Sequence, residues 1–179
     1  WAAHMDLLSP NPPLNLDDPD LRLRTSGALL PPARFGARAT VREALISPAA
    51  YVAGEVSRSV ISPGVVIEEG AVVRDSVIQH RCVIRSGAVI DRAILDKEVT
   101  VGRESVVGEG TSNIPNFDRP DIVNAGITIV GKRVTIPSGL RVGRNVVIGP
   151  GVHDELMDQA ILESGSTVHP TQMPLHLFV

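Results

Sequence analysis

Aromatic side chains are nearly missing from this sequence. Of its 179 residues only 3% are aromatic, although 43% are hydrophobic. The core must therefore be built from Val, Ile, Leu and Ala, which suits a narrow, regular interior and excludes a globule packed around large rings. The single cysteine, Cys82, rules out an internal disulfide and is compatible with a reducing compartment, so a cytoplasmic location is expected. No apolar run approaches the roughly 18 residues of a membrane span, and no signal peptide opens the chain. Neither charge is in large excess, with 17 basic and 20 acidic side chains giving a formal net charge of −3. Neither nucleic acid nor an acidic membrane is expected as a partner. Also missing are a Gly-x-Gly-x-x-Gly loop, a Walker-type Gly-Lys-Ser/Thr, and any His or Cys spacing suited to zinc.

What is present is a repeat. From Ile61 an aliphatic residue returns at Ile67, Val73, Ile78, Ile84, Ile90, Leu95, Val101 and Val107. The intervals run six, six, five and then begin again, so three short sides make one turn of about 17 residues. Val56 to Ile61 is the same short side one turn earlier. The six-residue interval resumes at Val130, Ile136, Val142 and Ile148. An amphipathic helix does not produce this spacing.

A second set of inward positions, Val65, Ala71, Cys82, Ala88, Val99 and Ser105, with Ser59, Ser76 and Ala93 on the short sides, carries only small or medium residues. A triangular prism needs small side chains at its corners and branched aliphatics on its walls. Gly64, Gly70, Gly87, Gly102, Gly131 and Gly143 fall at or near those corners, where positive φ is often required. The fold class is therefore all-β, a parallel β-helix of hexapeptide repeats, with turns stacked about 4.8 Å apart. Stacking should align Arg58, Asp75, Arg92 and Glu109 in one column of alternating sign and set Arg74 against Asp91. Outward columns of Val66, Val72, Val83, Val89 and Val106, and of Val60, Val77 and Ile94, suggest surfaces covered by another subunit or by an absent domain. A homo-oligomer is expected.

Other segments stand outside the prism. Trp1 to Leu8 reads as a short helix, and Asn11 to Thr25 as an extended linker rich in Pro and Asp. Residues 1–34 would then be a helix and linker, and 35–179 would form the β-helix. A loop at about 108–129 breaks the repeat with Pro115 and Pro120, and a loop of that length is usually functional or a partner contact. From Val152 the repeat is expected to fade through one helical turn at His153–Gln159 into an apolar tail.

The first 35 residues are the most specific. The run Trp-Ala-Ala-His-Met-Asp-Leu-Leu, followed by Asn11-Pro12-Pro13-Leu14-Asn15-Leu16 and Asp18-Pro19-Asp20, resembles the bacterial glucose-1-phosphate adenylyltransferases, or ADP-glucose pyrophosphorylases. Arg24-Thr25 and Pro31-Pro32-Ala33-Arg34-Phe35 match elements leading into the β-helix of that family, with Arg34 replacing a Lys and His4 an Asn. The late run Ile136-Pro137-Ser138-Gly139 with Gly143-Arg144-Asn145 is similar as well. The resemblance implies a left-handed coil, against the general preference for right-handed crossovers. It also implies a homotetramer and a nucleotide-binding α/β catalytic domain lying before this segment, with its own phosphate loop and Mg²⁺. That domain would direct the glucose-1-phosphate oxygen onto the α-phosphorus of ATP and release pyrophosphate, for glycogen or glucan synthesis. The present segment would be regulatory, with no cofactor of its own and no catalytic residue.

In the similar family, anionic effectors bind between β-helix and catalytic domain, and the position matching Lys132 is basic in some relatives. The implied regulatory anion-binding residues are Arg34, Lys132, Arg133, Arg141 and Arg144, although a cation at a turn is commonly just a solvated corner. Two other readings stand beside this one. A stand-alone hexapeptide acyltransferase using acyl-CoA would need a loop general base, for which His80 is the best candidate, though a solvent-facing corner histidine is the ordinary reading. A purely structural assembly module would need no site at all. Cys82, in an inward position, is expected to be an inert core thiol, and His153-Asp154-Glu155 is not expected to converge on a substrate.

Overall fold

Each interval of the repeat folds as one wall of a three-sided coil. The computed structural model describes residues 1–16, 18, 21 and 29–171; Pro19-Asp20, Arg24-Thr25 and the apolar tail lie outside the described residues. The first wall stacks the strands Arg34–Phe35, Tyr51–Val52, Val66–Ile67, Val83–Ile84, Thr100–Val101 and Thr135–Ile136 in parallel. The second wall includes Val72–Arg74, Val89–Asp91, Val106–Val107, Arg141–Val142 and Ile161–Leu162. The third includes Val77–Ile78, Ala93–Leu95, Thr128–Val130, Val147–Ile148 and Thr167–Val168. Two longer strands, Thr40–Ile46 and Glu55–Ile61, run through the corner between the second and third walls and join them into one sheet.

The register puts the repeat in phase. Ile67 pairs with Ile84, Ile84 with Val101, and Val101 with Ile136, all on the first wall. Val56, Val73, Ile90, Val107, Val142 and Leu162 form the second column. Ile61, Ile78, Leu95, Val130 and Ile148 form the third. Apart from Leu162 at the end of the coil, these residues are at most 1% exposed, and each buried aliphatic contributes about 1.5–3 kcal/mol relative to an exposed one. The small inward residues Ala71, Cys82, Ala88, Ser59, Ser76 and Ala93 are buried as well.

The side that is one residue short owes its geometry to buried hydroxyls. Ser59 Oγ donates to the Ser57 carbonyl at 2.7 Å and accepts from Ser76 N at 3.1 Å. Ser76 Oγ donates to the Arg74 carbonyl at 2.7 Å and accepts from Ala93 N at 3.0 Å. Each serine thus satisfies itself and a backbone N–H of the next turn, where an unpaired group would cost about 1–3 kcal/mol. At this corner the positive φ falls on non-glycine residues, Arg58 at 44°, Asp75 at 47° and Arg92 at 50°. The glycines divide into two kinds. Gly87 has φ +72°, as a corner glycine should, whereas Gly102 has no such need: a Cβ there would lie 2.4 Å from Ser138 N of the next turn.

The charge column holds only in part. Arg58 pairs with Asp75 at 2.8 Å and Arg74 with Asp91 at 3.1 Å. Arg92 leaves the column: its guanidinium lies over the Trp1 ring at 5.3 Å and donates to the Ala125 carbonyl at 2.8 Å. The chain departs from the corner after Val107, so Glu109 does not return above Arg92 and pairs instead with Arg141.

Two boundaries differ from expectation. Thr128–Val130 is already a wall strand in register with Ala93–Leu95, so the inserted loop ends at residue 127. The coil does not stop at Val152, because the 3₁₀ turn Asp154–Leu156 buries Leu156 fully before strands Ile161–Leu162 and Thr167–Val168 continue the other two walls. On the outer face of the third wall Val77 is buried, whereas Val60 and Ile94 are half-buried. Helix α1, Ala2–Asp6, packs against Glu55–Ile61, Trp1 Nε1 donates to the Asp75 carbonyl at 2.7 Å, and Val77 is 1% exposed. No helix among the described residues is long and apolar enough to cross a membrane.

Ile84→Ala should cost about 2–5 kcal/mol in urea unfolding, because it opens a cavity between two stacked turns. Val83→Ala, on the outer side of the same strand, should cost less than about 1 kcal/mol. Equal losses would contradict the inward assignment.

Candidate functional site

The corner between the third wall and the first wall of the next turn carries a column of cations. Backbone bonds fix its register: Arg81 N donates to the Pro63 carbonyl at 3.1 Å, Glu98 N to His80 at 2.9 Å, Arg133 N to Lys97 at 2.9 Å, and Gly151 N to Lys132 at 2.8 Å. His80, Lys97 and Lys132 therefore occupy equivalent places on successive turns, about 4.8 Å apart along the coil. Arg81, Glu98 and Arg133 form the neighbouring column. Arg81 pairs with Glu98 at 2.5 Å. The Glu98 carboxyl is held below the usual carboxylate range, first by the Arg81 hydrogen bond, with Lys132 and Arg133 adding to it. Lys97, Lys132 and Arg133 make no ion pair among the described residues.

Of the five anticipated cations, only Lys132 and Arg133 come together. Arg34 stands on the first turn of the coil with its guanidinium 5.8 Å from the Tyr51 ring centre. Arg141, on the second wall, donates from Nε to Glu109 Oε2 at 2.8 Å. Arg144 is buried, with its side chain only 9% exposed and its Nη2 3.0 Å from Asp91 Oδ2. Lys97 is not marked by the spacing because the inserted loop separates it from Lys132 in sequence. Aligning Val101 with Ile136, the interval on which the repeat resumes, places the two lysines together.

The inserted loop, residues 108–127, is fastened by three buried polar side chains. Arg144 Nε donates to the Gly110 carbonyl at 3.0 Å, and Asp91 is shared between Arg144 and Arg74. Asn145 Nδ2 donates to the Ile114 carbonyl at 2.8 Å, and its Oδ1 accepts from Gly126 N at 2.7 Å. Asn116 Nδ2 donates to the Asn145 and Ser166 carbonyls at 3.0 Å, and its Oδ1 accepts from Asp118 N and Arg119 N. Arg144 thus acts as a clamp between loop and coil, engaged on most sides.

The remaining candidates are quiet. His80 Nδ1 is buried without a hydrogen-bond partner, so no carboxylate orients the ring as a general base would require. His153 and Asp154 are exposed, and Glu155 accepts from His153 N at 3.1 Å and from Thr171 N, which ties down the end of the coil. Burial pushes the Cys82 thiol up to about 11, while its sulfur donates to the Asp96 carbonyl at 3.0 Å.

A family model for the GlmU-like, C-terminal hexapeptide matches residues 31–130, more than half of the chain. The chain belongs to that family. The hexapeptide domain is 46% identical over 95% of its length to a glucose-1-phosphate adenylyltransferase of Thermomicrobium roseum, of which it covers 40%. It is 34% identical over 94% of its length to the enzyme of that name from Acetivibrio thermocellus, covering 39%. With the one from Thermotoga neapolitana it shares 39% identity over 96% of its length, again covering 40%. The chain thus spans about 40% of the length of these curated relatives. A solved perosamine N-acetyltransferase from Caulobacter crescentus aligns over 76% of this chain at 15% identity, but its TM-score of 0.22 bears on neither fold nor function.

Thiol-specific labelling at pH 8 should leave Cys82 of the folded domain unmodified and should go to completion in denaturant. An unfolded thiol ionises near 9.0. The buried neutral form therefore supports the fold below that pH, and its contribution falls as pH rises toward about 11. Rapid labelling of the native protein would overturn the core assignment.

Proposed function

We propose that this domain is the regulatory and assembly part of a glucose-1-phosphate adenylyltransferase, a cytoplasmic homotetramer that makes ADP-glucose and pyrophosphate from ATP and glucose 1-phosphate. The shared name of its relatives supports the activity of the whole protein. Among the described residues no group of three or more His, Cys, Asp or Glu converges in the way a metal site requires. In this reading the Mg²⁺-dependent chemistry belongs to a preceding catalytic domain, and the coil contributes binding and geometry.

The observation that carries the regulatory reading is the stacking of Lys132 over Lys97 with Arg133 beside them. The backbones of Lys97 and Lys132 lie one rung apart, neither side chain makes an ion pair among the described residues, and Glu98 is the one carboxylate acting on Lys132 and Arg133, so the excess positive charge favours an anion beside it. A phosphorylated effector offers such an anion. The repeat supplies the rigidity: each lysine backbone is pinned by a bond to the next turn, so the spacing of the two charges is set by the coil. Arg34, Arg141 and Arg144 are engaged elsewhere and are not assigned to this cluster.

The test uses this chain joined to its natural preceding sequence, assayed with a panel of fructose phosphates and AMP. Lys97→Gln and Lys132→Gln should each raise the effector concentration needed for half-response by about tenfold, the loss of one charge-assisted contact. Turnover without effector should stay unchanged. An unaltered effector response in both variants would remove the regulatory reading, and failure of the intact protein to form ADP-glucose would remove the enzymatic one.

A further inference from the structure

The corner between the second and third walls holds a separate polar recess of about 310 Å³ beneath the inserted loop. We propose that it binds a small oxyanion, a phosphate or sulfate group, with Arg92 as the principal ligand. Arg92, Arg144, Thr111, Ser112, Gly110 and Gly126 line it, and no carboxylate does.

Arg92 has lost the partners that its place in the coil would have given it. Asp75 below is taken by Arg58, and Glu109 is taken by Arg141, which leaves Arg92 without an ion pair among the described residues. Next to it Arg74 and Arg144 share the single carboxylate of Asp91, at 3.1 and 3.0 Å. The corner thus has more guanidinium charge than carboxylate charge to balance it. The Arg92 plane is held by the Trp1 ring at 5.3 Å and by one hydrogen bond to Ala125 O. An arginine fixed on one face presents its remaining N–H edge for a planar, two-point contact with an oxyanion.

Two hydroxyl-bearing residues, Thr111 and Ser112, line the same recess. Among the described residues the Thr111 hydroxyl makes no hydrogen bond, and the Ser112 hydroxyl receives only a 3.5 Å contact from Ile114 N. Gly110 has φ +76° with nothing within 4 Å of where a Cβ would be, so the mouth is open. Asn145 and Arg144 anchor the loop walls of the recess from below, at Gly126 N and the Gly110 carbonyl. Fixed cation, free hydroxyls and an absence of carboxylates are the features that select a tetrahedral oxyanion over a cation or a neutral ligand. The same chemistry serves free phosphate and the phosphate of a small monoester, and the recess has room for either.

Amide ¹⁵N–¹H spectra of the 179-residue chain provide the test. Inorganic phosphate and glycerol phosphate would be titrated separately at constant ionic strength, with chloride as control. Saturable shifts of Gly110, Ser112 and Gly126 are expected with at least one of the two, and the tighter ligand identifies the source. Arg92→Gln should weaken binding about tenfold or more. Lys132→Gln, at a different corner, should leave these shifts unchanged. Because Arg92 also holds Ala125, Thr111→Val provides an independent variant that keeps that bond and should weaken binding several-fold. Absence of saturable shifts with both ligands would overturn the proposal. So would wild-type affinity in Arg92→Gln, or in Thr111→Val.

Discussion

Every feature of this molecule depends on one constraint: the inward aliphatics of each turn must lie directly on those of the turn before. A single turn cannot bury its own lining, because a ring of three short walls is open above and below. Only stacking closes it. Parallel pairing fixes the vertical register through backbone bonds, and the branched side chains of Ile67, Ile84, Val101 and Ile136 fill the space that remains. The near absence of aromatics follows from the same constraint, since a large ring would wedge open neighbouring turns that are only about 4.8 Å apart.

The corners then become ordered arrays of side chains. A residue type repeated at one corner position is repeated in space at the rung spacing. Opposite charges so arranged make ion pairs, as Arg58 does with Asp75. Like charges so arranged, as Lys97 and Lys132 are, make the patch on which the proposed anion-binding role rests. The inserted loop adds to this without disturbing it. It leaves the coil after Val107 and rejoins at Thr128, and the next turn sits in register as though nothing intervened. Buried Asn116, Arg144 and Asn145 hold it by satisfying its carbonyls and amides, which is how a long surface excursion keeps a fixed shape.

The walls are legible in the sequence because the inward period survives every local variation in what points outward. Even the small residues Ala71, Ala88 and Ser76 fall where the prism needs them. The charge column is legible as far as the Arg58–Asp75 pair and no farther, since Arg92 turns to Trp1 and Ala125 and the turn meant to bring Glu109 above it is interrupted. Arg144 cannot be read as buried. Its acceptors are mainly backbone carbonyls of a loop, and carbonyls leave no trace in residue identity. The packing of helix α1 on Glu55–Ile61 is likewise hidden, because an outward residue beneath a helix of the same chain looks identical to one awaiting a partner. For the site, the sequence marks Lys132 and Arg133 and misses Lys97. The loop breaks the arithmetic that relates them.

The stacking constraint is tested most directly by deleting chain in and out of phase. Ser59 and Ser76 mark one full turn, 17 residues apart. Removing residues 66–82 takes out one such period, so every later inward residue keeps its wall. Removing residues 66–73 does not. Circular dichroism and urea unfolding of the two deletions should show a cooperative β structure, somewhat less stable than the parent, for the first and no cooperative transition for the second. Two deletions that fold equally well, or fail equally, would contradict the account.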